Sequence, residues 1–300
     1  MKIDEIMSGL KNAGYYADTK TAFGVSAALN GIPMIITGAP GAGKTSLAYA
    51  VSKMMGMPLE RVQCYDGLTA SDILYDYNYQ LQLLTLEASK SFIEKEYGRE
   101  ENIKNVIDKI ANSTNFFGKN FLIERPILRT ISGNGRRVLL IDEVDKTDEP
   151  TEYLLLEILS EFAITIPQYG TVKCPDDEIP IVFLTSNESR DLSDALKRRC
   201  GFLHIKEKTK EEMTEIIVAK ASVNKDLALK IASCIAEAQK MSLIQTPSIA
   251  EGIQWANFLQ ENYSREAAEG SLGLLAKTVR DEELLLPVVS KIFGVVSNRL

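Results

Sequence analysis

Histidine is almost missing from this 300-residue chain. The one copy, His204, lies inside the apolar run Gly201 to Ile205, which excludes a histidine-built metal centre and a histidine general base. The four cysteines (Cys64, Cys174, Cys200, Cys234) stand far apart. No CxxC pair exists, and each thiol is expected to be a small, mostly buried side chain. Long apolar runs are also absent: none approaches the roughly 20 residues of a membrane-spanning helix. Met1 to Leu10 is amphipathic, without the basic-then-apolar order of a signal peptide. A soluble, cytoplasmic chain with no membrane span is expected. Nor is there an excess of basic residues. The net charge of -7 gives a surface that repels phosphate backbones on average, so nucleic-acid binding is disfavoured, though a local basic groove stays open. Chemistry must come from carboxylates, lysine, arginine and backbone amides.

What the chain does have is a succession of short apolar runs separated by helical patterns: Ile32 to Thr37, Leu59 to Tyr65, Val138 to Ile141, Ile181 to Thr185 and Phe202 to Ile205. Near-continuous apolar strands alternating with helices predict a doubly wound parallel sheet covered on both faces. This α/β domain is expected over 1–207. From Thr209 onward the period is near 3.6, through Met213, Ile216, Ile217, Leu227, Ile231, Ile235, Ile249, Ile253, Trp255 and Phe258, which predicts a small all-helical domain over 208–300. The stretch from Asp72 to Ser132 is too long for bare loop and reads as helices with an insertion at about 79–125. That insertion's charged middle is better read as a solvated helical face than as a partner site. Residues 163–174 read as a hairpin turning at Gln168, Tyr169 and Gly170, and Tyr169 is an aromatic at its tip with no core to reach.

Gly38-Ala39-Pro40-Gly41-Ala42-Gly43-Lys44-Thr45 satisfies GxxxxGK[ST], directly after one predicted strand and before the helix opening at Ser46. Glycines let the loop curl so that its amides face phosphate oxygens. Lys44 reaches the β- and γ-phosphates, and the Thr45 hydroxyl is suited to Mg²⁺. Val138 to Ile141 ends in Asp142-Glu143; Asp142 would hold the Mg²⁺ hydration shell and Glu143 would polarise the attacking water. An adjacent acid for water activation, with no NKxD base-reading motif, favours ATP hydrolysis over a GTPase or a small-molecule kinase. The run Ile181-Val-Phe-Leu-Thr-Ser-Asn187 reads as a buried strand ending in a polar amide, and Asn187 could orient that water, although an Asn after a strand is also a common turn former. Lys197-Arg198-Arg199 offers cations that could neutralise transition-state charge, against the alternative of a solvated basic turn.

Loop, acid pair, Asn-terminated strand and arginine cluster, followed by a helical lid, resemble the AAA+ P-loop NTPases. More narrowly, Gln63-Cys-Tyr-Asp-Gly67, Glu124-Arg-Pro-Ile-Leu128, Ile141-Asp-Glu-Val-Asp145, Ile164-Thr-Ile-Pro167, Ser193 to Cys200 and Pro247-Ser-Ile-Ala-Glu251 are similar to the CoxD-like branch of the MoxR family. The resemblance runs from about Gly14 to Phe258. It implies a five-stranded sheet of order 5-1-4-3-2, with Asn187 as sensor 1. Arg199 would be a finger reaching the neighbouring subunit's site, with Arg198 as its companion. It further implies a ring, expected as a hexamer, that remodels or matures a client enzyme together with a von Willebrand factor A domain partner. One departure stands out: where many members carry a lid arginine, this chain reads Pro247-Ser248-Ile249-Ala250, leaving Arg265 and Arg280 as unranked substitutes. The alternative function is a nucleic-acid motor or restriction-type translocase, which would need a basic, aromatic channel.

Overall fold

The computed structural model describes residues 1–88 and 115–294. Five strands form one parallel sheet: β1 (Met34–Thr37), β2 (Leu59–Gln63), β5 (Val138–Asp142), β8 (Ile181–Thr185) and β9 (Gly201–His204), in the order β2-β5-β8-β1-β9. Numbered along the sheet alone, this is the expected 5-1-4-3-2. The expected fold class, a P-loop α/β sheet, is the observed one. The three central strands β1, β5 and β8 are buried throughout and read as near-continuous apolar runs because alternate side chains enter different cores; the edge strand β2, read as one more apolar run, instead carries Glu60, Arg61 and Gln63, since only one of its edges is covered. Ile35, Leu139, Ile141, Val182 and Leu184 face the helices Pro126–Ile131, Glu149–Glu161 and Asp194–Arg199. Ile36, Leu140 and Phe183 face Ile3–Asn12, Thr19–Leu29 and Lys44–Met55.

Register then decides the site. Ile36 pairs with Thr185, Thr37 with His204 and Gln63 with Asp142. The carboxyl ends of the strands therefore come level on one edge, where ligands of open α/β sheets bind.

Between β2 and β5 the expected helices are joined by something the periodicity does not reveal, an antiparallel ribbon of β3 (Tyr75–Tyr77) and β4 (Leu122–Glu124). Three-residue strands are too short to show an alternation. Helix Tyr79–Ala88 opens the anticipated insertion, most of which lies outside the described residues. The hairpin is present as β6 (Ala163–Ile166) and β7 (Gly170–Lys173), with Gln168 in the left-handed region at φ 61°. Ile164 and Ile166 are buried while Tyr169 is exposed, and Pro167 accepts a 2.9 Å hydrogen bond from the Tyr77 hydroxyl.

From Lys210 onward the described elements are all helical and share one apolar core that includes Ile217, Ile231, Ile235 and Trp255. The Trp255 indole donates to Ser271 Oγ at 2.8 Å. Phe258, placed in the apolar stripe by spacing, is exposed; Leu259, one turn beyond Trp255 on the same face, takes the buried place. Cys64, Cys174 and Cys234 are buried and Cys200 partly so. Burial pushes the Cys64, Cys200 and Cys234 thiols up to about 12, which leaves them unreactive as nucleophiles. Among the described residues no helix is long and apolar enough to cross a membrane.

Candidate nucleotide site

The phosphate loop joins β1 to the helix Lys44–Met55, and its conformation requires glycine. Gly38 has φ 144°, and a Cβ there would stand 2.5 Å from the Ile205 carbonyl oxygen. Gly41 has φ 77°, and a Cβ would meet Ser248 Cβ at 2.3 Å, so the segment before the helix Ile249–Glu261 rests directly on the loop. Lys44 is buried, and its Nζ donates to the carbonyls of Gly38 at 2.6 Å and Ala39 at 3.0 Å. Burial holds its ammonium below the ordinary value, while Asp145, Asp142, Glu188 and Glu143 act in the opposite sense.

Asp142 is 3 % exposed and fully engaged. Its Oδ1 accepts the Thr45 hydroxyl at 2.9 Å and the Thr185 hydroxyl at 2.5 Å, and its Oδ2 accepts Arg61 Nη2 at 2.6 Å. Thr185 Oγ1 also accepts the Glu143 amide at 2.9 Å. That bond supports a turn in which Glu143 itself adopts φ 58°, ψ 48°, a conformation unfavourable for a residue with a side chain. The Glu143 carboxylate accepts Gln63 Nε2 at 3.2 Å and Asn187 Nδ2 at 3.4 Å. Asp145, two residues on, accepts the amides of Asn187 and Ser189 and the Ser189 hydroxyl at 2.6 Å. Burial alone would raise the Asp145 pKa, but these donors hold it below the carboxylate range.

The structure thus brings Lys44, Thr45, Asp142, Glu143 and Asn187 to one strand edge, with Gly38 to Gly43 and Ser46 around them. It does not bring Arg198 and Arg199 there. Both are exposed on the short helix Asp194–Arg199, bordering a shallow cavity with Leu156, Glu157 and Ser160, and neither makes a hydrogen bond or ion pair with a described residue. Neither Arg265 nor Arg280 borders the cavities beside the loop; Arg265 pairs with Glu269 at 2.7 Å. Residues of the helical region that border the cavity beside the loop include Gln245, Pro247 and Ser248, and Lys208 borders it too; the Lys208 Nζ donates to the Tyr16 carbonyl at 2.9 Å.

Several contributors escaped the sequence reading. Thr185 carries no motif; Arg61 and Gln63 lie on the edge strand, Gln63 within a family peptide but with no role assigned. A cavity of about 570 Å³ runs from Gly43 and Tyr49 to Tyr15, Ile216 and Ile253. The buried Tyr15 hydroxyl there has no hydrogen-bond partner among the described residues. A mainly apolar pocket of this size suits a planar ring. No long-range pattern would have found it.

A family model described as AAA domain (dynein-related subfamily) matches residues 33–200. The chain belongs to this family. The match spans this AAA domain's phosphate loop, acid pair, Asn187 and both arginines. Among solved structures, a mutant of Thermotoga maritima RuvB is similar over 96 % of this chain and 72 % of its own, at 15 % identity and TM-score 0.46. The T. maritima RuvB Holliday junction branch migration motor covers 90 % and 67 %, at 15 % identity and TM-score 0.44. A Cytophaga hutchinsonii protein provisionally described as an ATPase covers 98 % and 95 %, at 14 % identity and TM-score 0.46. At these values the likenesses carry no inference about activity. No curated protein matches the chain.

Proposed function

We propose that this AAA domain binds ATP with Mg²⁺ and hydrolyses it, and that it does so as a MoxR-type ring, a hexamer, to remodel or mature a client enzyme in the cytoplasm. Residues 1–207 would form the ATPase domain and 208–300 its lid. The observation that carries the reading is the Thr45–Asp142–Thr185 cluster, with Glu143 held beside it. A hydroxyl and a carboxylate oxygen 2.9 Å apart are hard donors of the kind Mg²⁺ takes alongside phosphate oxygens. Among the described residues no cluster of three or more histidine, cysteine or acidic side chains could hold a metal unaided, which fits a cation that arrives with its nucleotide. Bound there by Thr45 and Asp142, Mg²⁺ would neutralise phosphate charge.

The protein's own residues divide the remaining work. Lys44 and the loop amides bind phosphates, the Tyr15 pocket takes the base, and Glu143 accepts the proton of water. The amides of Gln63 and Asn187 fix the direction in which that carboxylate points. Arg199 of one subunit would serve the site of the next, and a von Willebrand factor A domain protein would link the ring to its client. The family peptides support the MoxR assignment, and the exposed Arg198 and Arg199, without a partner among the described residues, support the ring. The test is Glu143→Gln, which keeps size and hydrogen bonding. It should bind ATP as the parent does and lose about a thousandfold in phosphate release. Hydrolysis within about threefold of the parent, roughly 0.7 kcal/mol of barrier, would remove Glu143 from this role.

A further inference from the structure

Arg61 has no part in that reading, yet it makes two hydrogen bonds to Asp142 where Thr45 makes one. On the edge strand β2, residues two apart share a face, so Arg61 and Gln63 both look toward the end of β5 while Glu60 looks away. Glu60 is engaged in ion pairs with Arg129 at 2.9 Å and Arg137 at 3.1 Å. Arg61 instead grips Asp142 Oδ2 with two donors, Nη2 at 2.6 Å and Nε at 3.1 Å. Its Nη2 also donates to Gln63 Oε1, and Gln63 Nε2 donates to Glu143 Oε2. One guanidinium therefore holds Asp142 directly and reaches Glu143 through one amide.

A guanidinium keeps its charge at any pH the fold survives. Here it lies on the same carboxylate that the proposed Mg²⁺ would use through Thr45 and Oδ1, so two cations draw on one negative charge. The Arg61 side chain is 42 % exposed and has solvent to move into, whereas Asp142 is enclosed and cannot follow. We propose that Arg61 is a positioning residue that competes with the divalent cation for Asp142, lowering the metal affinity of the site while holding the acid pair in register before metal and nucleotide arrive. The proposal rests on the ATP and Mg²⁺ reading above.

The experiment is calorimetric binding of a nonhydrolysable ATP analogue to the full chain, titrated from micromolar to millimolar Mg²⁺. Parent, Arg61→Met, Arg61→Gln and Arg129→Met are compared, with melting curves to verify folding. Removing the charge should lower the Mg²⁺ concentration for half-maximal binding on the order of fivefold in both Arg61 variants, an effect that added salt shrinks. Arg129→Met, which breaks a neighbouring ion pair that does not touch Asp142 or Glu143, should leave it unchanged, and in EDTA, with no free Mg²⁺, parent and variants should bind the analogue alike. Arg61→Gln retains a donor for Asp142 and keeps the test available if Arg61→Met misfolds. Equal or greater Mg²⁺ demand in the uncharged variants overturns the role of Arg61. A parent that binds no analogue, or binds it without regard to Mg²⁺, overturns the underlying reading and this proposal with it.

Discussion

The acid cluster and the arginine helix border the same sheet and differ in almost every physical respect. Around Asp142, carboxylate oxygens meet hydroxyls, an arginine and amides at hydrogen-bond distance, and the acid itself is buried. Around Arg198 and Arg199, two exposed cations find no partner among the described residues. A buried acid needs its donors supplied in advance, because an unpaired charge there costs several kcal/mol. An exposed arginine can wait in water. The first region is assembled within one chain; in the proposed ring the second would be a half-site that the neighbouring subunit completes.

The sharpest way to break that contrast is Arg199→Ala. If Arg199 acts across a subunit interface, the variant should bind ATP within about twofold of the parent and lose at least about a hundredfold in hydrolysis; Arg198→Ala should lose less. Mixing Arg199→Ala with Glu143→Gln under subunit exchange should restore phosphate release, since some interfaces then hold an intact acid pair beside an intact arginine. A mixture no more active than its parts, despite mixed assembly, would mean the exposed arginines are a solvated turn.

Thr185→Val probes the assembled side and should act more mildly. It removes one of the two hydroxyl donors to Asp142 Oδ1 and leaves the Glu143 amide without its acceptor, which should cost about 1–3 kcal/mol in stability and roughly tenfold in hydrolysis. Unfolding by urea and steady-state turnover read the two separately. Unaltered turnover would show that the Glu143 turn does not depend on its buttress.

The smallest expected effect is a pH dependence at Asp145, which separates an acid that holds structure from one that does chemistry. Its pKa is depressed in the fold. The stability it contributes is therefore present above the unfolded carboxylate value and is lost as pH falls through the folded one. Asp145→Asn should lower the Tm by roughly a few degrees at pH 7, and the difference from the parent should fade below about pH 4. A difference constant with pH would assign the effect to shape and not to charge.

Much of the fold was legible because its signals are local. Ile35 and Ile36 point into opposite cores, so a central strand appears as an unbroken apolar run, and GxxxxGK[ST] announces a loop whose backbone only glycine permits. The ribbon Tyr75–Tyr77 with Leu122–Glu124 was hidden by its shortness. Phe258 was misplaced because a 3.6-residue period fixes a face only to within about one residue when Trp255 and Leu259 compete for the same stripe. Strand order came from family resemblance, since no apolar run states which neighbour it will join.

By itself the sequence determined the central strands, most of the helices, the loop and the pair of acids at the end of β5, for these depend on residues adjacent in the chain. Only the tertiary structure decided which other groups meet those acids. Arg61 and Asp142 are 81 residues apart and Thr185 and Asp142 43 apart; they meet because β2, β5 and β8 lie side by side in one register. Tyr15, Gly43 and Ile253 border one cavity for the same kind of reason. Such contacts depend on strand order, register and the seat of the helices on the sheet. Those are properties of the whole packed chain, set where burial of both sheet faces is satisfied at once.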